Sequence, residues 1–146
     1  SPCLHRMRHT MQHLHLYEPA EFIDKYVLSE LEITPLDACV AVHVTCSTKQ
    51  MGLAETIVRV AKACANNVLV PEEIGCCAFA GDKGFTDPEL NEWALRKLKP
   101  QIQKAGATMG VSNSRTCEIG LTTHSGIEYH SIAHLVNMTS KRKGDK

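Results

Sequence analysis

The run Cys39-Val40-Ala41-Val42-His43-Val44-Thr45 sets the architecture. It is β-branched and apolar almost throughout, the pattern of a strand covered on both faces of a parallel sheet rather than one with a wet side. His43 alone interrupts it, and reads as a core or strand-edge imidazole before it reads as a ligand.

Elements on either side alternate. Upstream, Phe22, Ile23, Tyr26, Val27 and Leu31 share a helical stripe that ends at the Thr34-Pro35 turn. His15-Leu16-Tyr17 is expected as a short strand, stopped by Glu18-Pro19. Before it, Leu4, Met7, Met11 and Leu14 mark a short helix, with His5, His9 and His13 on a separate, solvated face. Downstream, Leu53, Ile57, Val60, Ala61 and Cys64 recur at helical spacing up to an expected end at Asn66-Asn67, and Val68-Leu69-Val70 is a second buried strand. Asp87-Pro88 opens a helix predicted to run to Gly106, Thr108 to Val111 gives the third strand, and Ile132, Leu135 and Val136 mark the last helix before a polar tail. Strand, helix, strand, helix, strand specifies an α/β domain: a mostly parallel sheet with flanking helices.

Composition narrows the function. A chain of 146 residues, 43% hydrophobic and 22% charged, is one globular domain, and it has no apolar run long enough to span a bilayer. Sixteen basic residues balance sixteen acidic ones and only 5% are aromatic, so neither a positive field nor a stacking platform exists for nucleic acid. Seven cysteines is a high but odd count, in a composition that suits an ordinary core. Reduced thiols and a cytoplasmic location are the expectation, since no signal peptide opens the sequence. The absence of an initiator Met leads to the expectation of a piece cut from something longer.

In a parallel sheet the loops after the strands gather at one edge. Cys46 ends the first buried strand, Cys76 and Cys77 follow the second, and Cys117 follows the third. Four cysteines from three loops are therefore expected to converge. Soft thiolates suit zinc or an iron-sulfur cluster. The vicinal pair favours a cluster, because each sulfur can meet a different iron, whereas a lone zinc prefers a Cys-x-x-Cys knuckle and none is present. Both sulfurs can face one centre only from a tight turn, for which Gly75 is the expected device. Zinc held by His43 with three cysteines is the competing reading, and a metal-free interaction domain is the third. Cys39 and Cys64, within a strand and on a helix stripe, read as small core hydrophobes. Cys117 lacks the later Arg of a phosphate-binding thiolate loop, and a Cys76–Cys77 disulfide would be strained.

Three motifs in order, His43-x-x-Cys46, Gly75-Cys76-Cys77-Ala78-Phe79-Ala80-Gly81-Asp82-Lys83-Gly84-Phe85, and Ser114-Arg115-Thr116-Cys117-Glu118-Ile119-Gly120, resemble the cysteine-rich "CCG" domain. That domain occurs in heterodisulfide reductase, in the iron-sulfur component of glycolate oxidase and at the carboxyl end of FAD-linked D-lactate dehydrogenases, whose motif wording is closest. The resemblance implies a Rossmann-like three-layer half-domain: residues 1–14 as the tail end of a preceding repeat, 15–138 as the second repeat and 139–146 as a polar tail. It implies a [4Fe-4S] cluster on Cys46, Cys76, Cys77 and Cys117, with Cys3 and His43 as further candidate ligands.

It also implies an electron-transfer module of a D-lactate (2-hydroxyacid) dehydrogenase. FAD and ferredoxin-like domains would lie upstream, and a quinone or cytochrome would accept the electrons. The location would be cytoplasmic, with peripheral attachment to the inner face of the membrane, and the chain alone would be inactive. Lys83 and Arg115 would offset the cluster's negative charge. Two departures stand out. Ala78 replaces the usual Gly, which is tolerable only if that residue avoids a left-handed backbone. Gly120 stands where the heterodisulfide reductase branch has a second cysteine of Cys-x-x-Cys, which removes a fifth thiolate.

Overall fold

The computed structural model describes residues 2–144. Helix α1 (Pro2–Thr10) leads to α2 (Pro19–Phe22), which continues through a π-helical turn at Ile23–Val27 and a 3-10 turn at Leu28–Glu30. Then follow β1 (Leu31–Ile33), β2 (Leu36–Val42), α3 (Cys46–Gln50), α4 (Ala54–Cys64) and β3 (Ala65–Leu69). After a long loop come α5 (Lys83–Thr86), α6 (Pro88–Leu95), α7 (Leu98–Ala105) and β4 (Ala107–Ser112). The chain ends in α8 (Arg115–Ser125), β5 (Tyr129–Ser131), α9 (Ile132–Thr139) and β6 (Ser140–Arg142).

Four strands form a parallel sheet in the order β3-β2-β4-β5, and β1 pairs antiparallel with β6. The expected α/β class is what the chain adopts. Alternation along β2 divides the core: Val40 and Val42 pack with Ile57, Val60, Leu135 and Val136 of α4 and α9, whereas Ala41 packs with Leu98, Ile102 and Leu121 of α7 and α8. Each fully buried Val or Leu contributes about 1.5–3 kcal/mol, so helices are needed on both faces to keep this strand dry.

The strand order places the site. The chain leaves β2 to build β3 on one side, then returns to build β4 on the other. The crevice between the carboxyl ends of β2 and β4 is thus a topological switch point, where connections diverge and leave room for a ligand. Residues 43–46 follow β2 there, and residues 113–117 follow β4.

Several local expectations are corrected. Residues 15–17 join no ladder; the Leu16 carbonyl accepts instead from the Arg8 guanidinium, at 3.0 Å from Nε and 2.7 Å from Nη2. α1 stops at Thr10, so His13 lies beyond the helix, while the half-buried His5 and the exposed His9 face each other with Nε2 atoms 3.4 Å apart. Asn66 and Asn67 are not a helix end: α4 passes directly into β3, an edge strand that tolerates exposed amides. Val70 falls outside it. The helix expected from Asp87 to Gly106 is two helices, broken at Arg96-Lys97, and Trp93 is 69% exposed with the Arg96 guanidinium stacked on it. Within the polar stretch after Thr139, Ser140–Arg142 pairs with Leu31–Ile33.

Candidate metal centre

Cys46 is the first residue of α3. Thr45 caps that helix, its Oγ1 accepting from the Thr48 amide at 3.2 Å. Cys117 lies in the first turn of α8, where the helix dipole favours a negative sulfur. Cys76 and Cys77 lie in the irregular loop between β3 and α5. Lys49 of α3 ties this loop to the Cys46 helix by donating to the Ile74 carbonyl at 3.5 Å.

Gly75 is not in the left-handed region. Left-handed backbone occurs in this loop at Glu73 (φ 59°), before the vicinal cysteines, and at Ala78 (φ 55°), Ala80 (φ 45°) and Gly81 (φ 76°), after them. Ala78 therefore adopts the very conformation in which its methyl group is unfavourable, by roughly 1 kcal/mol. Phe79, buried between the two alanines, holds the loop down: its ring occupies the space that a side chain at Gly84 would need, and meets Phe85 edge-on at 4.9 Å.

Cys77 and Cys117 are buried with their Sγ atoms 2.9 Å apart; Cys46 and Cys76 are exposed. The contact with Cys117 is the main cause that draws the Cys77 thiol down to about 7, and the same contact, with burial, pushes Cys117 up. The same sulfur–sulfur contact is the leading cause of both directions. Cys76 accepts from the Ala78 amide at 3.3 Å, yet partial desolvation of its sulfur holds its thiol above the usual value although the residue as a whole is exposed, with smaller contributions from the neighbouring sulfurs of Cys77 and Cys46. Cys76, Cys77 and Cys117 are thus each influenced by a neighbouring sulfur.

Among the described residues no three His, Cys, Asp or Glu side chains are placed to hold a single metal ion. Four sulfurs are the candidate donors, with one contacting pair, a chemistry that would fit a group meeting each thiolate through a different iron. Cys3 is exposed on α1. His43 is buried, its Nδ1 lying 3.3 Å from Ser112 Oγ and its Nε2 without a partner. Cys64 is fully buried in the α4 core and Cys39 is half-buried. Lys83 and Arg115 turn to carboxylates: Lys83 to Asp87 at 3.5 Å, and Arg115 to the buried Glu118 at 3.1 Å. A groove of 680 Å³ bordered by Leu69, Glu73, Lys97 and Gln101 contains no cysteine.

Sequence reasoning missed the polar side chains around the thiols. Glu18, fully buried, accepts from the Ala20 amide and from Asn113 Nδ2, both at 2.8 Å. Asn91, on α6, donates to the Cys77 carbonyl. The available signals are that Asn91 shares a helix face with Leu95, four residues on, and that Glu18-Pro19-Ala20-Glu21 has the spacing of a helix capping box; nothing local marks Asn113.

Fold and site together define a cysteine-rich α/β module with its thiols at the carboxyl edge of a parallel sheet. The family model for the cysteine-rich (CCG) domain matches residues 40–122, more than half of the chain, and the chain belongs to that family. This domain occurs in oxidoreductase-type proteins, and its cysteines are consistent with iron-sulfur or metal binding. A search of curated proteins found no match. No helix among the described residues is long and apolar enough to cross a membrane.

Proposed function

We propose that this chain is an iron-sulfur electron-transfer module, in which Cys46, Cys76, Cys77 and Cys117 hold a [4Fe-4S] cluster, with Cys3 and His43 as further donors. The observation that carries the reading is the contact between buried Cys77 and Cys117, two sulfurs delivered by different loops to the switch-point edge. Held there, a cluster would supply one-electron transfer. The protein's part is to present thiolates, exclude water on the Cys77 and Cys117 side, and leave Cys46 and Cys76 open toward a partner. The motif resemblance extends the reading to an FAD-linked D-lactate (2-hydroxyacid) dehydrogenase, with FAD and ferredoxin-like domains in the same protein and a quinone or cytochrome as acceptor. The place of action is then the cytoplasm or the inner membrane face.

Anaerobic reconstitution with iron and sulfide tests it. The expected result is about four irons and four sulfides per chain, with a paramagnetic signal on reduction. Stoichiometric zinc with no iron would instead establish a structural zinc domain. The chain by itself is expected not to oxidise D-lactate.

A further inference from the structure

The cysteine loops lie outside the strand ladders, so side-chain bonds must fix where they stand relative to one another. Two buried or half-buried carboxamides make those bonds. Asn113 lies between β4 and Ser114, the residue that opens α8. Its Nδ2 donates to Thr48 Oγ1 at 2.7 Å and to Glu18 Oε1 at 2.8 Å. Thr48 Oγ1 in turn lies 2.8 Å from Oγ1 of Thr45, the cap of α3. One amino group therefore spans from the helix that carries Cys117 to the turn that carries Cys46, with a fully buried carboxylate as its second acceptor.

Asn91 does the same for the third loop. Only 2% exposed, it donates to the Cys77 carbonyl, and its amide lies against Gly120 of α8, where a Cβ would be 2.5 Å from Nδ2. A side chain at 120 would displace the amide.

We infer that Asn113 and Asn91 are positioning residues that reference the Cys46 and Cys77 loops to α8, and so to Cys117. The inference deepens the thiolate-site reading and rests on it for its functional meaning. Removing either amide takes the donor from a buried acceptor, Oε1 of Glu18 (whose Oε2 keeps the Ala20 amide) or the Cys77 carbonyl, which is worse than never having paired it.

The test follows iodoacetamide alkylation of each cysteine in the reduced, metal-free chain by mass spectrometry, with fully buried Cys64 of the opposite core as internal reference. In Asn113→Leu, Cys117 is expected to react about tenfold faster relative to Cys64, and in Asn91→Leu, Cys77 likewise, as for local opening after loss of one buried hydrogen bond. Glu18→Gln combined with Asn113→Asp reverses donor and acceptor and is expected to restore protection. Unchanged ratios, or a parallel rise at Cys64, would overturn the inference, as would failure of the reversed pair. If Leu variants do not fold, Thr48→Val removes one acceptor alone and is read against the same reference. Iron uptake by the parent chain is scored separately, so a chain that binds no iron defeats the cluster reading without affecting this comparison.

Discussion

The sulfurs of Cys77 and Cys117 lie 2.9 Å apart, although 40 residues separate them in the chain. The contact is made inside the core that α7 and α8 form on one face of the sheet, with Phe79 and Leu121 in the same cluster. That distance exceeds the roughly 2.05 Å of a disulfide, so the two sulfurs are in contact without being bonded to each other. Cys64 shows the contrast: it is equally buried, but burial pushes its thiol up and its partner is the Thr139 hydroxyl, as for a small core residue. Burial alone therefore does not separate ligand candidates from filler; sulfur next to sulfur does.

Gly120 tests whether the missing fifth thiolate can be restored. A Cβ there would lie 2.5 Å from Asn91 Nδ2, 2.8 Å from its Oδ1 and 2.9 Å from the Phe79 ring. Gly120→Cys is expected to destabilise the chain by about 1–3 kcal/mol, the usual range for overpacking. It is also expected to leave iron per chain no higher than in the parent. Thermal unfolding and iron analysis check both, and an added iron-binding thiol at full stability would contradict the packing.

How much could be read beforehand follows from the range of the interactions involved. The buried run at residues 39–45 was legible because it is written in consecutive residues, although β2 begins earlier, at Leu36, and ends at Val42, so that His43, Val44 and Thr45 stay buried beyond the strand. That Cys46, Cys76, Cys77 and Cys117 each come after a strand was legible in the same way. The three-residue ladder between Leu31–Ile33 and Ser140–Arg142 carries no periodic signal, and its pairing is set by the ends of neighbouring elements. The break at Arg96-Lys97 was hidden because both halves supply apolar residues in plausible phase. Glu18, Thr48 and Asn113 meet only in the folded chain, across 65 and 95 residues, so no local pattern could join them.

Ala78 carries the prediction that runs against helix and strand intuition. With φ at 55°, its Cβ is strained, and glycine would adopt the same backbone freely. Ala78→Gly is expected to stabilise the chain by about 0.5–1 kcal/mol, even after the added freedom of the unfolded state is subtracted. Urea unfolding measures the shift. A clear loss of stability would mean that the turn after the vicinal cysteines is not left-handed at this residue.

His43 should make the fold sensitive to mild acid. Burial, with the Lys49 charge as a smaller cause, lowers its imidazole from 6.5 to about 4. Above 6.5 both folded and unfolded chains hold it neutral, so it confers no pH dependence there. Between 6.5 and about 4 the unfolded chain binds a proton that the folded chain refuses, and stability falls as the pH falls. From neutral pH to pH 5 the expected loss is about 2 kcal/mol. His43→Leu removes the titrating group while filling much of the same space, so its stability should decline less over that interval. Urea titrations of both proteins at several pH values between 7.5 and 4.5 decide it: parallel slopes would show that His43 is protonated in the folded chain as readily as in the unfolded one.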